Sequence, residues 1–239
     1  MVEFYLASSA LAKEQGEDRF DGRRTIDEAV KHGFNGVQLF LDPKYRDPLY
    51  RSEIFKRIEE NPSLGIIIHL PNIVSQEDKE AAEDIAQKIP EARFLIHYKP
   101  TVEIPEINNV LAGWENSEIG KFGPDQVGHI DEVKKQAKKD NTFFVFDFGR
   151  MMYLEEGDIG KEEALSFIKD EINALDPKKD IIHLADKKSW VLKFRDSMCA
   201  LGDGICGDLL ENILSYEGIV VFEHEDLQMA IDSLQVIEK

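Results

Sequence analysis

The sequence predicts an α/β fold of the (β/α)8 type, a TIM barrel, formed by one domain that spans residues 1–239. Short runs rich in Ile, Val, Leu and Phe alternate with helical patterns, and such runs are typical of strands buried in a parallel sheet. Eight strands joined by helical crossovers fit a closed barrel better than an open sheet. The predicted strands lie near residues 2–6, 36–40, 64–68, 93–97, 110–115, 143–147, 180–184 and 219–223.

Residues that favour helix starts support several of the intervening helices. Thr25 precedes IDEAV and is followed three residues later by Glu28, which is the spacing of a capping box. Ser75 and Asp78 repeat this arrangement near the start of the third helix. The predicted helices lie near 25–33, 51–60, 75–88, 125–139, 161–174, 207–215 and 226–237, with a further short one near 103–109.

The chain carries a net charge of −18, with 42% hydrophobic and 32% charged residues. The negative charge disfavours DNA as a partner, because binding to DNA depends on neutralising its phosphates. No apolar run reaches the roughly 18 residues of a transmembrane helix, and the opening segment with Glu3 lacks the basic start of a signal peptide. We therefore expect a cytoplasmic protein with no membrane partner. Cys199 and Cys206 fit no zinc-binding spacing.

Six of the predicted strands end in a side chain that can bind a metal ion. The carboxyl ends of parallel strands meet at one end of a barrel, so these side chains are expected to converge. Imidazole and carboxylate together suit Zn²⁺, Mn²⁺ or Fe²⁺ better than Mg²⁺ or Ca²⁺, and a metal ion or a salt bridge would offset the cost of burying the carboxylates. The six are His69 in IIIH, His97 in FLIH, Glu115 in VLAGWE, Asp147 in FFVFD, His183 in DIIH and Glu223 in IVVFE.

The number of candidate ligands indicates two metal ions. A single catalytic zinc keeps about three protein ligands and one open position. Six ligands therefore favour two ions that share a bridging carboxylate, and paired ions roughly 3.5–4 Å apart are typical of phosphoester cleavage.

The same segments resemble, in order and over essentially the whole chain, the endonuclease IV group (AP endonuclease family 2) of the xylose-isomerase-like TIM barrels. The resemblance implies a metal-dependent phosphoesterase that hydrolyses a phosphodiester such as the DNA backbone at an abasic site. It also implies two zinc ions, while the donor atoms themselves leave Mn or Fe as alternatives. The segments that carry it are IIIHLPN, FLIHYKP, WENSEIG, FVFDFGR, IIHLADKKS, RDSMCALGDGICG and VVFEHE.

By this resemblance the ligands divide into two sets that share one carboxylate. The first metal would be bound by His69, His97 and Glu115. The second would be bound by Glu115, Asp147, His183 and Glu223. Glu115 would bridge the two ions, and we take it as a candidate catalytic residue.

The sequence departs from the family at the third metal site. Arg150 stands where the family's DxxH motif has its histidine, and Met198 stands where the DRHxxxG motif has one. Asp196 matches the aspartate of the second motif and remains a candidate ligand. We expect no third zinc. Arg150 is a candidate catalytic cation for a substrate phosphate, and its alternative role is a salt bridge to Asp147 or Asp196.

Two other functions remain open from the sequence. Relatives with this barrel include one-metal sugar isomerases and epimerases, which use a glutamate, an aspartate, a histidine and a glutamate around the ion, and the second ligand set satisfies that pattern. In such enzymes two carboxylates act as acid and base. His69 and His97 favour the hydrolase, since a one-metal isomerase needs no further imidazoles, whereas the charge of −18 favours a small sugar or phosphorylated substrate. A barrel that keeps metal for stability or sensing is the third hypothesis. The oligomeric state stays open.

Overall fold

Eight parallel strands close into a barrel, which confirms the predicted fold class. The computed structural model describes residues 1–14, 16–99, 107, 112–116, 123–149, 160–188 and 198–237. The strands in chain order are β1 (Glu3–Ala7), β2 (Gly36–Phe40), β3 (Gly65–His69), β4 (Arg93–His97), β5 (Ala112–Glu115), β6 (Phe144–Asp147), β7 (Ile181–Leu184), β8 (Asp186–Lys187), β9 (Met198–Cys199) and β10 (Ile219–Phe222). β10 pairs with both β7 and β1, which closes the sheet, while β8 and β9 form a separate antiparallel ribbon.

Helices follow most barrel strands, close to the predicted positions. Ser75 and Asp78 form the predicted capping box at the start of the third helix. The capping box predicted at Thr25 is wrong: the side chain of Asp21 accepts from the backbone N–H of Arg23, and the Thr25 hydroxyl donates to the Asp21 carbonyl within the first turn. The helices are α1 (Gly22–His32), α2 (Pro48–Glu60), α3 (Gln76–Lys88), α4 (Pro124–Lys139), α5 (Lys161–Ala174), α6 (Leu210–Ser215) and α7 (Leu227–Ile237).

The short helix predicted near 103–109 lies outside the described residues, apart from Ile107. None of the helices in the described ranges is long and apolar enough to cross a membrane.

Two apolar layers hold the barrel together. The larger layer lies between the outward faces of the strands and the helices, and includes Leu39 of β2, Ile26 of α1 and Ile54 of α2. The smaller layer fills the inside of the barrel. Its members are Tyr5, Ala7, Ile67, Leu95, Phe143, Val145, Ile181, Ile219 and Val221. The strand residues of the two layers alternate along each strand with the period of two that strand geometry imposes.

Glycines let two large rings close the amino-terminal end of the barrel interior. The Tyr5 ring lies over Gly36 and Gly65, and the Phe143 ring lies over Gly113. A Cβ atom at any of these glycines would overlap the ring above it. The interior is therefore filled by apolar side chains at this end, which leaves the carboxyl ends of the strands for polar groups.

Replacing Gly113 with Ala should lower the free energy of unfolding by about 1–3 kcal/mol, because the added methyl group would displace the buried Phe143 ring. Gly128→Ala in α4 is the matched control, since nothing lies within 4 Å of a Cβ atom there. That change should raise the stability by about 0.5–1 kcal/mol through helix propensity. Urea denaturation measures both values. Equal stabilities of the two variants would contradict this account of the barrel interior.

Candidate metal centre

The six ligands predicted from the sequence all come from the carboxyl ends of barrel strands. Each lies two positions beyond a residue that faces the barrel interior, so strand periodicity directs it inward as well. The strand register then sets neighbours side by side, with His97 opposite Glu115 and Asp147 opposite His183. The chain thus places imidazoles and carboxylates directly above the apolar filling of the barrel.

Glu115 lies at the centre of this arrangement. Its side chain has no exposed surface. One carboxylate oxygen, Oε2, lies 3.0 Å from Nε2 of His69, and the other, Oε1, lies 3.3 Å from Nε2 of His97. Oε1 also lies 3.5 Å from Nδ1 of His183. Three imidazoles therefore surround one buried carboxylate.

Two of these imidazoles are held with a defined tautomer. Nδ1 of His69 lies 2.9 Å from the carbonyl oxygen of Leu70, and Nδ1 of His97 lies 2.7 Å from Oδ1 of Asn72. Both partners accept hydrogen bonds, so Nδ1 carries the proton in each ring. When the rings are neutral, their Nε2 lone pairs face the Glu115 carboxylate, which also only accepts. A cation between these groups would accept the lone pairs of both rings and of the carboxylate.

A second group of ligand atoms gathers around His183. Its Nδ1 lies 3.3 Å from Oε1 of Glu223 in addition to the contact with Glu115. Asp147 completes the group and is fixed through its backbone, because its N–H donates to Oδ1 of Asn116 and its carbonyl accepts from Nδ2 of Asn116, both at 2.8 Å. The structure therefore forms two sets whose ligand atoms lie within 4.8 Å of one another: His69, His97 and Glu115, and Glu115, Asp147, His183 and Glu223.

Neighbouring imidazoles and carboxylates shift one another's pKa values in this centre. Burial raises the pKa of Glu115, but His97 and His183 lower it by more, so its pKa lies well below the ordinary value. Burial lowers the pKa of His183, but Glu223 and Glu115 raise it to about 10. Burial raises the pKa of Glu223, and His183 lowers it to about 2. In the metal-free protein, imidazolium and carboxylate groups therefore neutralise one another.

The donor set fits a divalent transition-metal ion. It combines imidazole nitrogen with carboxylate oxygen, which is the mixture preferred by Zn²⁺, Mn²⁺ and Fe²⁺. The His69 and His97 rings already present unprotonated Nε2 atoms when neutral, and hydrogen bonds at Nδ1 fix their orientation, as is common for metal-binding histidines. A cation at the second ligand set would take the place of the proton on His183.

The other two predicted site residues are not among the residues that the structure describes. Arg150 and Asp196 lie outside the described residues, as does the salt bridge considered between Arg150 and Asp147 or Asp196. Met198 lies in the β8–β9 ribbon, where its Sδ accepts a hydrogen bond from the backbone N–H of Glu225 at 3.3 Å.

Three amide side chains near the centre were not predicted from the sequence. Gln38 of β2 is buried and donates from Nε2 to Oε1 of Glu223 at 2.6 Å. Asn72 orients His97, and Asn116 holds β5 to β6 through the backbone of Asp147. Gln38 carried a usable signal, since it is the one polar residue in the apolar run GVQLF. Asn72 and Asn116 stand just beyond strand ends, where polar residues are common.

Solved structures share this architecture. A xylose isomerase domain protein from Alicyclobacillus acidocaldarius is 14% identical, with a TM-score of 0.58 over 100% of this chain and 97% of that chain. A sugar phosphate isomerase/epimerase from Parabacteroides distasonis is 12% identical, with a TM-score of 0.55 over 99% and 98% of the two chains. The chain therefore shares the closed (β/α)8 barrel of these structures.

A D-psicose 3-epimerase from Clostridium cellulolyticum H10, in complex with D-tagatose, is 12% identical, with a TM-score of 0.50 over 99% of this chain and 96% of that chain. No protein-family model matches the sequence, and no curated protein matches it at a significant level. At these identities the similarity establishes the fold alone.

The predicted metal-dependent hydrolase is wrong. The similar structures named above are described as a sugar epimerase, a sugar phosphate isomerase/epimerase and a xylose isomerase domain protein, and none of them as a phosphoesterase. Nothing in the comparisons supports endonuclease IV specifically. The prediction failed because metal ligands at strand ends are shared by barrels with different chemistry, so the ligand pattern indicates a metal site without defining the reaction.

Metal binding should release a proton from His183. The pKa of about 10 means that this imidazole is protonated at neutral pH in the metal-free protein, so a cation must displace the proton. Affinity for Mn²⁺ should therefore rise with pH up to about 10, by as much as roughly tenfold per pH unit. Calorimetry in buffers of different ionisation enthalpy should detect release of about one proton at about pH 8.

His129→Asn provides the control for this measurement. His129 is buried in α4, apart from the two ligand sets, so its replacement should leave the proton release unchanged. Binding of Mn²⁺ without proton release at that pH would contradict the assignment of His183 as a ligand.

Proposed function

We propose that the protein is a metal-dependent isomerase or epimerase that acts on a small sugar or sugar phosphate. The observation that carries the proposal is the second ligand set, in which two glutamates contact the same imidazole nitrogen, Nδ1 of His183, at 3.3 and 3.5 Å. The sugar epimerase and isomerases of the same fold support it. A small substrate also agrees with the net charge of −18, which disfavours polyanions.

The metal would be held by Glu115, Asp147, His183 and Glu223, and we expect Mn, Fe or Zn from the mixture of nitrogen and oxygen donors. Bound there, the ion would polarise the carbonyl group of the sugar and so acidify the adjacent C–H group. His69 and His97 would bind a second ion together with Glu115.

Isomerisation and epimerisation both need a group that removes a proton next to a carbonyl and a group that returns one. Glu223 is suited to the first role. Its Oε1 is held by Gln38 and His183, while Oε2 makes no hydrogen bond or ion pair with the described residues. Glu223 is also the more exposed of the two glutamates, at 18% of its side chain compared with 0% for Glu115. A substrate entering the barrel mouth therefore reaches Glu223 first.

Glu115 contacts the same nitrogen of His183 as Glu223 does but is more enclosed. Both of its oxygens face imidazoles, which hold it ionised and fixed in position. We assign it to metal binding and to orienting the centre, and we assign the proton transfer at carbon to Glu223. In an isomerisation, Oε2 of Glu223 would take a proton from one carbon and return it to the neighbouring carbon on the same face, while a proton passes from the substrate's hydroxyl oxygen to its carbonyl oxygen. In an epimerisation, Glu223 would take the proton on one face and a second acid would return one on the opposite face.

The proposal is tested by hydrogen exchange in D₂O. Protein loaded with Mn²⁺ is incubated with a panel of aldoses, ketoses and their phosphates, and NMR follows deuterium at the carbon next to the carbonyl. We expect deuterium in the product of at least one sugar, and a loss of roughly 100-fold or more in the rate for Glu223→Gln.

The control is Glu217→Gln, which removes an exposed carboxylate that pairs only with the amino terminus among the described residues. Its exchange rate should equal that of the unaltered protein. Metal-loaded protein that exchanges no sugar of the panel would overturn the proposed function. An undiminished rate in Glu223→Gln would overturn the role of Glu223 alone.

A further inference from the structure

The side chain of Gln38, beside the candidate metal centre, has a buried amide oxygen without a hydrogen-bond donor in the part of the chain that the structure describes. Gln38 is 3% exposed, and its Nε2 donates to Glu223. A carboxylate only accepts hydrogen bonds, so the NH₂ group must face Glu223 and the amide oxygen must point elsewhere. Among the described residues, no donor reaches that oxygen, Oε1, although it is buried.

The strand register shows that the Gln38 side chain points into the barrel. Gln38 pairs with Ala7 of β1, which belongs to the inner layer of the barrel, and the contact with Glu223 crosses the interior to β10. Its amide therefore lies inside the barrel mouth, next to the carboxylate that we assign to proton transfer. A buried acceptor without a donor costs free energy, which a ligand with a donor recovers on binding.

Aromatic rings form the wall next to this acceptor. Phe40 follows Gln38 by two residues, faces the same way and is half-buried. Its ring centroid lies 5.0 Å from that of His69 and 5.9 Å from that of Phe20. Phe20 adopts a left-handed backbone conformation with φ of 54°, which is unusual for a bulky residue and is typical of functional sites when the surroundings enforce it.

An acceptor beside aromatic rings matches the chemistry of a sugar, whose C–H faces pack on rings while its hydroxyl groups donate hydrogen bonds. An ionised phosphate group has no such donor, and its oxygens would be repelled by the amide oxygen. The β2 side of the mouth is thus suited to the hydroxylated part of a substrate and unsuited to a phosphate.

We propose that Oε1 of Gln38 accepts a hydrogen bond from one hydroxyl group of a polyhydroxylated substrate packed against Phe40, and that this contact selects among sugars. The inference rests on the proposed function, and it names a substrate hydroxyl group as the group that Gln38 recognises. A site that bonds a hydroxyl group discriminates strongly against analogues that lack it.

The test measures binding to Mn²⁺-loaded protein by saturation-transfer NMR and calorimetry. The probes are D-tagatose, D-psicose, D-fructose and D-xylose, followed by singly deoxygenated and singly fluorinated analogues of the tightest binder. We expect one hydroxyl position at which both replacements weaken binding by roughly tenfold or more, because fluorine accepts but cannot donate. In Gln38→Met, the parent sugar and these two analogues should bind with similar affinity.

Gln126→Met is the matched control. Gln126 is a buried amide of α4 whose Oε1 also has no partner among the described residues, but it lies on a helix outside the barrel interior. Its replacement should leave the discrimination between hydroxyl, hydrogen and fluorine unchanged. If Gln38→Met fails to fold, the affinities of the unaltered protein for the parent sugar and its fluorinated analogue are compared instead. Equal affinities at every hydroxyl position would show that no acceptor binds a substrate hydroxyl, which would contradict the proposal.

The outcomes separate the two proposals. A sugar that binds while no position distinguishes hydroxyl from fluorine, or a discrimination that persists in Gln38→Met, overturns the role of Gln38 and leaves the proposed function in place. Failure of every probe to bind, together with no exchange in D₂O, overturns the proposed function and the role of Gln38 with it.

Discussion

The structure depends on the burial of one carboxylate. Glu115 has no exposed surface, and a buried carboxylate is costly unless positive charge or hydrogen-bond donors surround it. Three imidazoles from three strands meet that need, which requires β3, β4 and β7 to end at the same height as β5. The register of the closed barrel supplies this alignment. The closed barrel is therefore needed to bring the three imidazoles to Glu115, and the imidazoles are needed to stabilise its buried carboxylate.

The interior divides along its axis into an apolar and a polar half. Tyr5 and Phe143 occupy the space that glycines leave at one end, and aliphatic side chains fill the middle. Two positions further along the same strands, the next inward-facing side chains are the candidate metal ligands. The apolar side chains pack directly beneath these polar groups and limit how far they can shift. This support explains how six ionisable groups can lie close together in a fixed arrangement.

Much of this arrangement could be predicted from the sequence, because it depends on local pattern. Apolar runs and their spacing predicted the barrel, and a histidine or acid at the end of a run predicted which side chains converge. The reaction could not be predicted in this way. The same ligands serve hydrolases and isomerases, so His69 and His97 led to the wrong reaction class. The roles of Gln38 and Asn72 depend on contacts between strands and loops distant in the sequence, which no local pattern reports.

The central claim is that Glu115, Asp147, His183 and Glu223 together hold a catalytic cation. The most direct measurement is anomalous diffraction from crystals of Mn²⁺-loaded protein, collected on both sides of the manganese edge. We predict an anomalous peak within about 2.0–2.6 Å of a ligand atom from each of the four side chains. A manganese peak bound elsewhere, with His183 still paired directly to Glu115 and Glu223, would contradict the account.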